Sequence, residues 1–289
     1  MKEHPPSAWR SFLSGLVYAF NRNKISWIGV VILTLLILMA LLAPVISSFN
    51  PVEQHIIDRF KSPSATYWLG ADEYGRDIFS RIIWGSRISL SVGTISVLLG
   101  MMIGGMLGVF AGYRGGFWDN LIMRVMDVFM SIPTLLMGLF VVAALGPSLV
   151  NLTLAIAITV APRFARIARA PTVSIKERDY IEACRAMGFS DLRIMLIHIL
   201  PNILGDVLVM GSLWIATAVR IEASLSFIGL GVPPPTPTWG GMVREGFEKI
   251  LDSPWVSIFP GAFILITVFA FNLLGDGLRD AIDPKLRDS

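Results

Sequence analysis

Cysteine and charge are what this 289-residue chain has least of. The single cysteine, Cys184, excludes an internal disulfide framework and leaves no second thiol for a CxxC metal or redox pair. Charged residues make up 16% of the chain against 54% hydrophobic ones, and the mean hydropathy is +0.67. A soluble domain needs about a quarter of its residues charged, so that class is excluded. The three histidines, His4, His55 and His198, are scattered, with neither HExxH nor GxSxG spacing. Nothing assembles a nucleophile, a base and an oxyanion site, so no catalytic residues and no metal ligands are expected. The chain also lacks G-x-x-x-x-G-K-[ST], and indeed any Gly-Lys pair. It therefore has no loop of the P-loop kind to cradle the phosphates of ATP.

What is present is a set of apolar runs near 20 residues, the length that crosses a bilayer. The first, "ISWIGVVILTLLILMALLAPVI", is too long for the apolar core of a signal peptide and reads as an uncleaved anchor. Six spans are expected, at about 25–47, 87–111, 124–145, 148–165, 203–230 and 256–275. The fourth is the weakest, its apolar core short and interrupted by Pro162. With the N-terminus inside, sixteen of the 24 Lys and Arg fall in cytoplasmic segments, seven outside, and Arg220 within a span. That matches the positive-inside rule, and an odd number of spans would spoil it. The net charge of +3 gives no reason to expect nucleic acid. The expected organisation is a cytoplasmic tail over 1–24, a six-span domain over 25–275 and a cytoplasmic tail over 276–289.

Between the spans, several stretches carry information. Gly100, Gly104 and Gly108 recur every four residues and line one helix face. That spacing permits close helix packing, with pore lining as the alternative. In "YWLGADEYGRDIFSRIIWGSR", Trp68 and Trp84 suit a membrane interface. Ile78, Phe79, Ile82 and Ile83 form a stripe suited to lying on the bilayer surface. Asp72, Glu73 and Asp77 lack EF-hand spacing and are expected to pair with Arg76 and Arg81. The prolines of "GVPPPTPTWGG" predict a rigid, extended corner.

Arg163, Arg166 and Arg169, three residues apart, are placed to snorkel to anionic headgroups. Arg124 and Asp127 read as a local ion pair. Pro171 is expected to break the helix, and Ser174 with Glu177 matches a capping box. A helix to about Met187, a left-handed Gly188, a cap at Ser190 and a second helix ending at Pro201 complete two short helices around a bend. Ile181, Cys184 and Met187 share a face of the first helix, and Glu182 and Arg185 project from others. Such a segment either lies passively on lipid or acts as a lever in a soluble partner. In the fifth span, Asp206, Arg220 and Glu222 are intramembrane charges, which are costly and mark functional candidates.

The sequence E-A-C over 182–184, with Gly188 and L-P at 200–201, resembles the EAA motif of ABC-importer permeases. Glu182, Ala183, Gly188, Leu200 and Pro201 occupy the motif positions. Cys184 replaces an alanine, a small residue for a small one, and His198 stands where the motif has isoleucine. "LGADEYGRDIFSRIIWGSRISLSVG", "RVMDVFMSIP", "EASLSFIGLGVPPPTPTWG" and "AFNLLGDGLRDAIDPKL" extend the resemblance over most of the chain. They are similar to the second, C-type permease subunit of dipeptide, oligopeptide, glutathione and nickel importers. The resemblance implies an all-α integral membrane protein of the bacterial inner membrane, with six transmembrane helices and a cytoplasmic coupling helix between helices four and five. It further implies that residues 174–201 dock on an ATPase, with Glu182 in polar contact and Gly188 setting the bend. Implied partners are a homologous second permease subunit, two cytoplasmic ATPase subunits and an external binding protein. The chain itself is expected to carry no cofactor, with ATP and Mg on the partners. Di- or oligopeptides are the expected cargo, with glutathione or a nickel or other metal chelate as alternatives. Arg220 and Glu222 are candidates for the translocation path, or else structural charges. An ion-coupled secondary transporter is the remote alternative, resting on those same span-five charges.

Overall fold

The computed structural model describes residues 24–282. Apart from an isolated bridge between Ala71 and Asp77, the regular elements among them are helical. In chain order these are α1 (Lys24–Leu41), α2 (Ala43–Ile46), α3 (Ile78–Arg114), α4 (Gly116–Ser131) and α5 (Thr134–Leu145), then α6 (Leu149–Ile175), α7 (Asp179–Ala186), α8 (Asp191–Ile228), α9 (Trp239–Phe247) and α10 (Trp255–Ile282). A short 3-10 turn, Ile56–Asp58, lies between α2 and α3. The expected N-terminal tail, but for Lys24, and residues 283–289 of the C-terminal tail lie outside the described residues.

Helices α1, α3, α6, α8 and α10 are each long and apolar enough to cross a membrane. The expected third span differs from these. It divides into α4 and α5, bent by 93° at a short break, and makes a sixth crossing only if the pair is taken together. Pro133 is the physical cause: it has no N–H to donate, and its ring disfavours the helical region for the residue before it. Ile132 is accordingly extended, at φ −85° and ψ 128°.

Other expected boundaries move for related reasons. Helix α3 has 37 residues, about 55 Å at 1.5 Å per residue. It includes the stripe expected to lie on the bilayer surface, and Ile78, Ile82 and Ile83 are buried in the protein. Asp77 starts it, accepting a hydrogen bond from the Ser80 amide at 2.8 Å. Helix α6 runs through both Pro162 and Pro171. Membrane helices tolerate proline where neighbouring groups satisfy the freed backbone. The carbonyls left without a helical donor are those of Ile158 and Ile167; close by, the Thr159 and Thr172 hydroxyls donate to the Ile156 and Ala168 carbonyls, and the Arg163 guanidinium to that of Thr159.

The bundle is organised by α3 against α6. A Cβ on Gly104 would stand 2.0 Å from the Ala161 carbonyl oxygen, and one on Gly108 would stand 2.1 Å from that of Ala165. Gly100 meets Val160 in the same way, at 2.4 Å. The glycine face is therefore a packing face, on which two backbones touch. Around it Val97, Ile156, Val160, Phe164 and Ile203 form a buried apolar cluster. A second cluster joins α1, α9 and α10 around Trp239, which is fully buried and donates its indole N–H to the Ile82 carbonyl at 3.0 Å.

At the end of the bundle where α3 begins, four charges are gathered. Arg76 meets Asp72 at 2.6 Å and Glu245 at 2.9 Å, and Arg81 meets the same Glu245 oxygen at 2.9 Å. The expected pairing of Asp72 with the two arginines is present, with Glu245 of α9 as the added partner. Asp77 is a helix cap, and Glu73 is in no ion pair among the described residues. Breaking such a buried pair costs about 3–5 kcal/mol.

The glycine seam makes a sharp prediction. Gly104→Val should lower the thermal unfolding temperature of the detergent-purified chain, at a cost of roughly 1–3 kcal/mol for overpacking. Gly105→Ala, whose added Cβ meets nothing within 4 Å, should leave it unchanged. Equal stability of the two variants would rule out the backbone contact.

Candidate functional site: the bent segment between α6 and α8

The segment expected to punctuate residues 174–201 is present, built differently at its two ends. Its start is not a capping box. Helix α6 continues to Ile175, and Arg178 takes the N-cap position of α7 without a side-chain cap bond. Ser174 lies inside α6, so it cannot cap α7. Helix α7 then runs from Asp179 to Ala186 and ends on Gly188, at φ +79°. The Gly188 amide donates to the Arg185 carbonyl at 2.9 Å, and the Phe189 amide donates to that of Cys184 at 3.1 Å. This 5→2 and 6→1 pair is a Schellman motif, which satisfies the last carbonyls of α7 and needs a left-handed residue at its turn.

Beyond the bend, Ser190 occupies the next N-cap position without a side-chain cap bond. Pro201 does not end the helix. A π-helical turn, Ile194–Ile199, leads into Leu200 and Pro201, and α8 continues to Ile228. The wider turn changes which amides must find carbonyls, and Pro201, near the start of the regular segment, has no N–H to satisfy. The second short helix and the fifth span are therefore one rod.

Each motif residue has a defined place. Ile181 and Cys184 are buried in the main apolar cluster with Ile194, Met195 and Ile199. Met187, expected on the same face as Ile181 and Cys184, is 64% exposed. Glu182, Ala183 and Gly188 are exposed, Leu200 is half-buried and Pro201 exposed. One face of α7 is thus fastened to the bundle while Glu182 and Ala183 face outward. His198 stacks on Phe189, with ring centroids 5.9 Å apart and 19° between planes. A planar side chain at 198 thereby braces the returning helix against the residue just past the bend.

The residues fastening this segment were not evident in the sequence. The Tyr113 hydroxyl donates to Asp191 at 2.8 Å, Arg114 meets Asp191 at 3.3 Å, and the Arg185 guanidinium lies 5.3 Å from the Tyr113 ring centre. Tyr113 and Arg114 end α3, so the long helix is tied directly to both sides of the bend. Its termination just beyond, at Gly115 and Gly116 (φ +66° and +55°), was the available signal.

The three arginines of α6 do not reach out as free headgroup ligands. Arg169 makes a two-pronged contact with Asp119, at 2.5 and 2.6 Å. Arg166 meets Asp127 at 2.5 Å. Arg163 donates to the Thr134 hydroxyl at 2.9 Å and lies 4.6 Å from the centre of a Trp214 ring. They staple the bent α4–α5 pair to α6. Asp127 consequently pairs across helices, not with Arg124 as the three-residue spacing suggested.

Arg220 and Glu222 are not brought together. Arg220 is exposed and donates to Thr217 on its own helix at 3.0 Å. Glu222 is fully buried, accepts from Ser226 at 2.7 Å, and has a second oxygen without a hydrogen-bond partner. No group of His, Cys, Asp or Glu among the described residues is placed to hold a metal ion.

The bundle of apolar spans has the fold seen in solved ABC transporters. The chain superposes on the methionine ABC transporter MetNI in inward-facing conformations with a TM-score of 0.56 at 20% identity, covering 71% of this chain and 98% of that one. The family model described as binding-protein-dependent transport system inner membrane component matches residues 104–288. That for the N-terminal TM domain of oligopeptide transport permease C matches residues 7–63. The chain belongs to this family of ABC-importer permease subunits and resembles its C-type members. It is 41% identical to the dipeptide transport system permease protein of Alkalihalophilus pseudofirmus, over 97% of this chain and 91% of that protein. It is 44% identical to the glutathione transport system permease protein of Pectobacterium atrosepticum, over 96% and 92%. With the oligopeptide transport system permease protein of Bacillus subtilis it shares 40% identity, over 93% and 88%.

The staples differ in burial and so in weight. The Asp119 side chain is 14% exposed, whereas Asp127 and Arg166 are each 57% exposed. Exposed ion pairs contribute about 0–1 kcal/mol. Asp119→Ala should therefore speed hydrogen exchange over residues 116–131 about 10-fold, and Asp127→Ala by no more than about 2-fold. Mass-resolved exchange reads both, and equal effects would refute the ranking.

Proposed function

We propose that this chain is the C-type permease subunit of an ATP-driven importer carrying di- or oligopeptides across the bacterial inner membrane. Support for the peptide cargo is its near full-length likeness to the dipeptide and oligopeptide permeases. The observation that carries the mechanism is α7 itself. Its inner face is anchored through Ile181 and Cys184, its end is fixed by the Gly188 turn, and Glu182 and Ala183 face outward. A helix held this way transmits a push without folding away from it.

In this reading residues 174–201 face the cytoplasm and dock on one of two ATPase subunits, with both chain termini on the same side. ATP and Mg bind those partners, and this chain carries no cofactor. A homologous second permease subunit completes the pathway, and an external binding protein delivers the cargo. When the ATPases close, α7 moves, and its ties to Tyr113 and Arg114 pass the displacement into α3 while the bend passes it into α8. ATP acts only through its different affinity for the two conformations. Arg220, exposed on α8, remains a candidate for the pathway; Glu222, enclosed between helices, is better suited to a structural role. Glutathione is the second reading, favoured by the 44% identical glutathione permease.

Co-purification of the tagged chain from native membranes should bring a second permease subunit and P-loop ATPases, and the reconstituted complex should take up dipeptides only with ATP. Gly188→Pro, incompatible with φ +79°, should abolish that uptake while the protein stays in the membrane. Glu182→Lys should leave ATPase activity but lower uptake at least about 10-fold, the effect of removing a charged hydrogen bond. Dipeptide uptake without ATP, or normal uptake by Gly188→Pro, would refute the lever.

A further inference from the structure

At the opposite end of the bundle from Gly188 lies a cleft of about 550 Å³, within the range of about 300–1,000 Å³ that small-molecule sites occupy. One wall is the proline corner at Pro233–Pro235, another is α9, and the buried charge group of Arg76, Arg81 and Glu245 forms part of the lining. The charges are not all consumed by one another. The Arg81 side chain is only 2% exposed and its Nη2 donates to Glu245, so it stays enclosed within that group. Arg244, which also lines the cleft, makes no hydrogen bond or ion pair among the described residues. A Cβ on Gly229 would stand 2.0 Å from its Nη1, so the glycine makes room for the guanidinium. Glu248, one helical turn after Arg244, lines the same cleft and is likewise in no ion pair among the described residues.

An exposed guanidinium with no partner among the described residues is open to a ligand's acceptor. A carboxylate is the matching group, since its two oxygens fit the planar fork of arginine. The unpaired carboxylate at Glu248 argues against a purely anionic ligand such as phosphate, and it supplies the partner that an ammonium group needs.

We propose that this cleft is a binding site for short zwitterionic peptides, holding the terminal carboxylate at Arg244 and the terminal ammonium at Glu248. The site rests on the peptide reading above and adds to it a station within this subunit, at the end of the bundle away from the ATP-driven segment. The corner made by Pro233, Pro234 and Pro235 keeps one wall rigid, so little ordering opposes binding.

The test is saturation-transfer NMR on the complete importer in lipid nanodiscs, without ATP or binding protein. The probes are trialanine, trialanine amide and N-acetyl-trialanine. The unmodified complex should bind trialanine, and each blocked peptide about 10-fold more weakly, the effect of losing one charge-assisted contact. Arg244→Gln, at an exposed position, should weaken trialanine about 10-fold and leave trialanine amide unchanged. Glu248→Gln should do the same for trialanine and spare N-acetyl-trialanine. Absence of trialanine binding, or equal binding of all three probes to all three complexes, would overturn the site. Equal weakening of every probe by both variants would also overturn it, because the two residues would then act on the shape of the cleft. ATP-dependent trialanine uptake measured in parallel keeps the two readings apart. Uptake without cleft binding sinks this site alone, and cleft binding without uptake sinks the importer's peptide cargo.

Discussion

The contact of α3 with α6 through Gly104 and Gly108 is the constraint on which the other features hang. In a bilayer, lipid tails are as apolar as leucine, so helices associate through close packing and not through exclusion of water. Only glycine lets the α3 backbone reach the Ala161 and Ala165 carbonyl oxygens. That approach sets where α3 ends, and Tyr113 and Arg114 must then arrive beside Asp191. It also sets where α6 ends, and α7 begins within a few residues. Both supports of the bent segment descend from one seam.

Charge is used sparingly, and two groups of it fix relative positions of helices. Arg163, Arg166 and Arg169 bind the broken α4–α5 pair to α6. Asp72, Arg76, Arg81 and Glu245 bind the start of α3 to α9. These are pairs between elements distant in the chain, the kind that specifies one arrangement of helices that apolar packing alone would leave loosely determined. Arg244 and Glu248 are different: each lines one cleft and is in no ion pair among the described residues.

The bend at Gly188 and the broken span at Pro133 are opposite solutions to one problem. A left-handed glycine with two Schellman hydrogen bonds makes a rigid corner, and Ile181 with Cys184 holds that corner to the bundle. The break at Ile132 and Pro133 has no such closure and depends on the arginine staples of α6. The segment proposed to meet the ATPase is thus built as a rigid part, and the α4–α5 pair as a bent one held by salt bridges.

Composition, apolar run length and glycine spacing were local properties, and by themselves they determined a helical membrane protein, the glycine face and the left-handed turn at Gly188. The motif residues Glu182, Ala183 and Cys184 were equally legible, since their spacing needs no knowledge of the fold. What only the tertiary structure decided was the fate of the prolines and the partners of the charges. Pro133 breaks a span, with Ile132 before it extended, while Pro162 and Pro171 ride within α6 and Pro201 follows a π-helical turn at the start of a regular segment. Arg166 turned from an expected lipid ligand into the partner of Asp127, a residue 39 positions away. Asp191 likewise met Tyr113 across 78 positions. Spacing along one helix says which face a charge occupies; it does not say which other helix will be there to meet it.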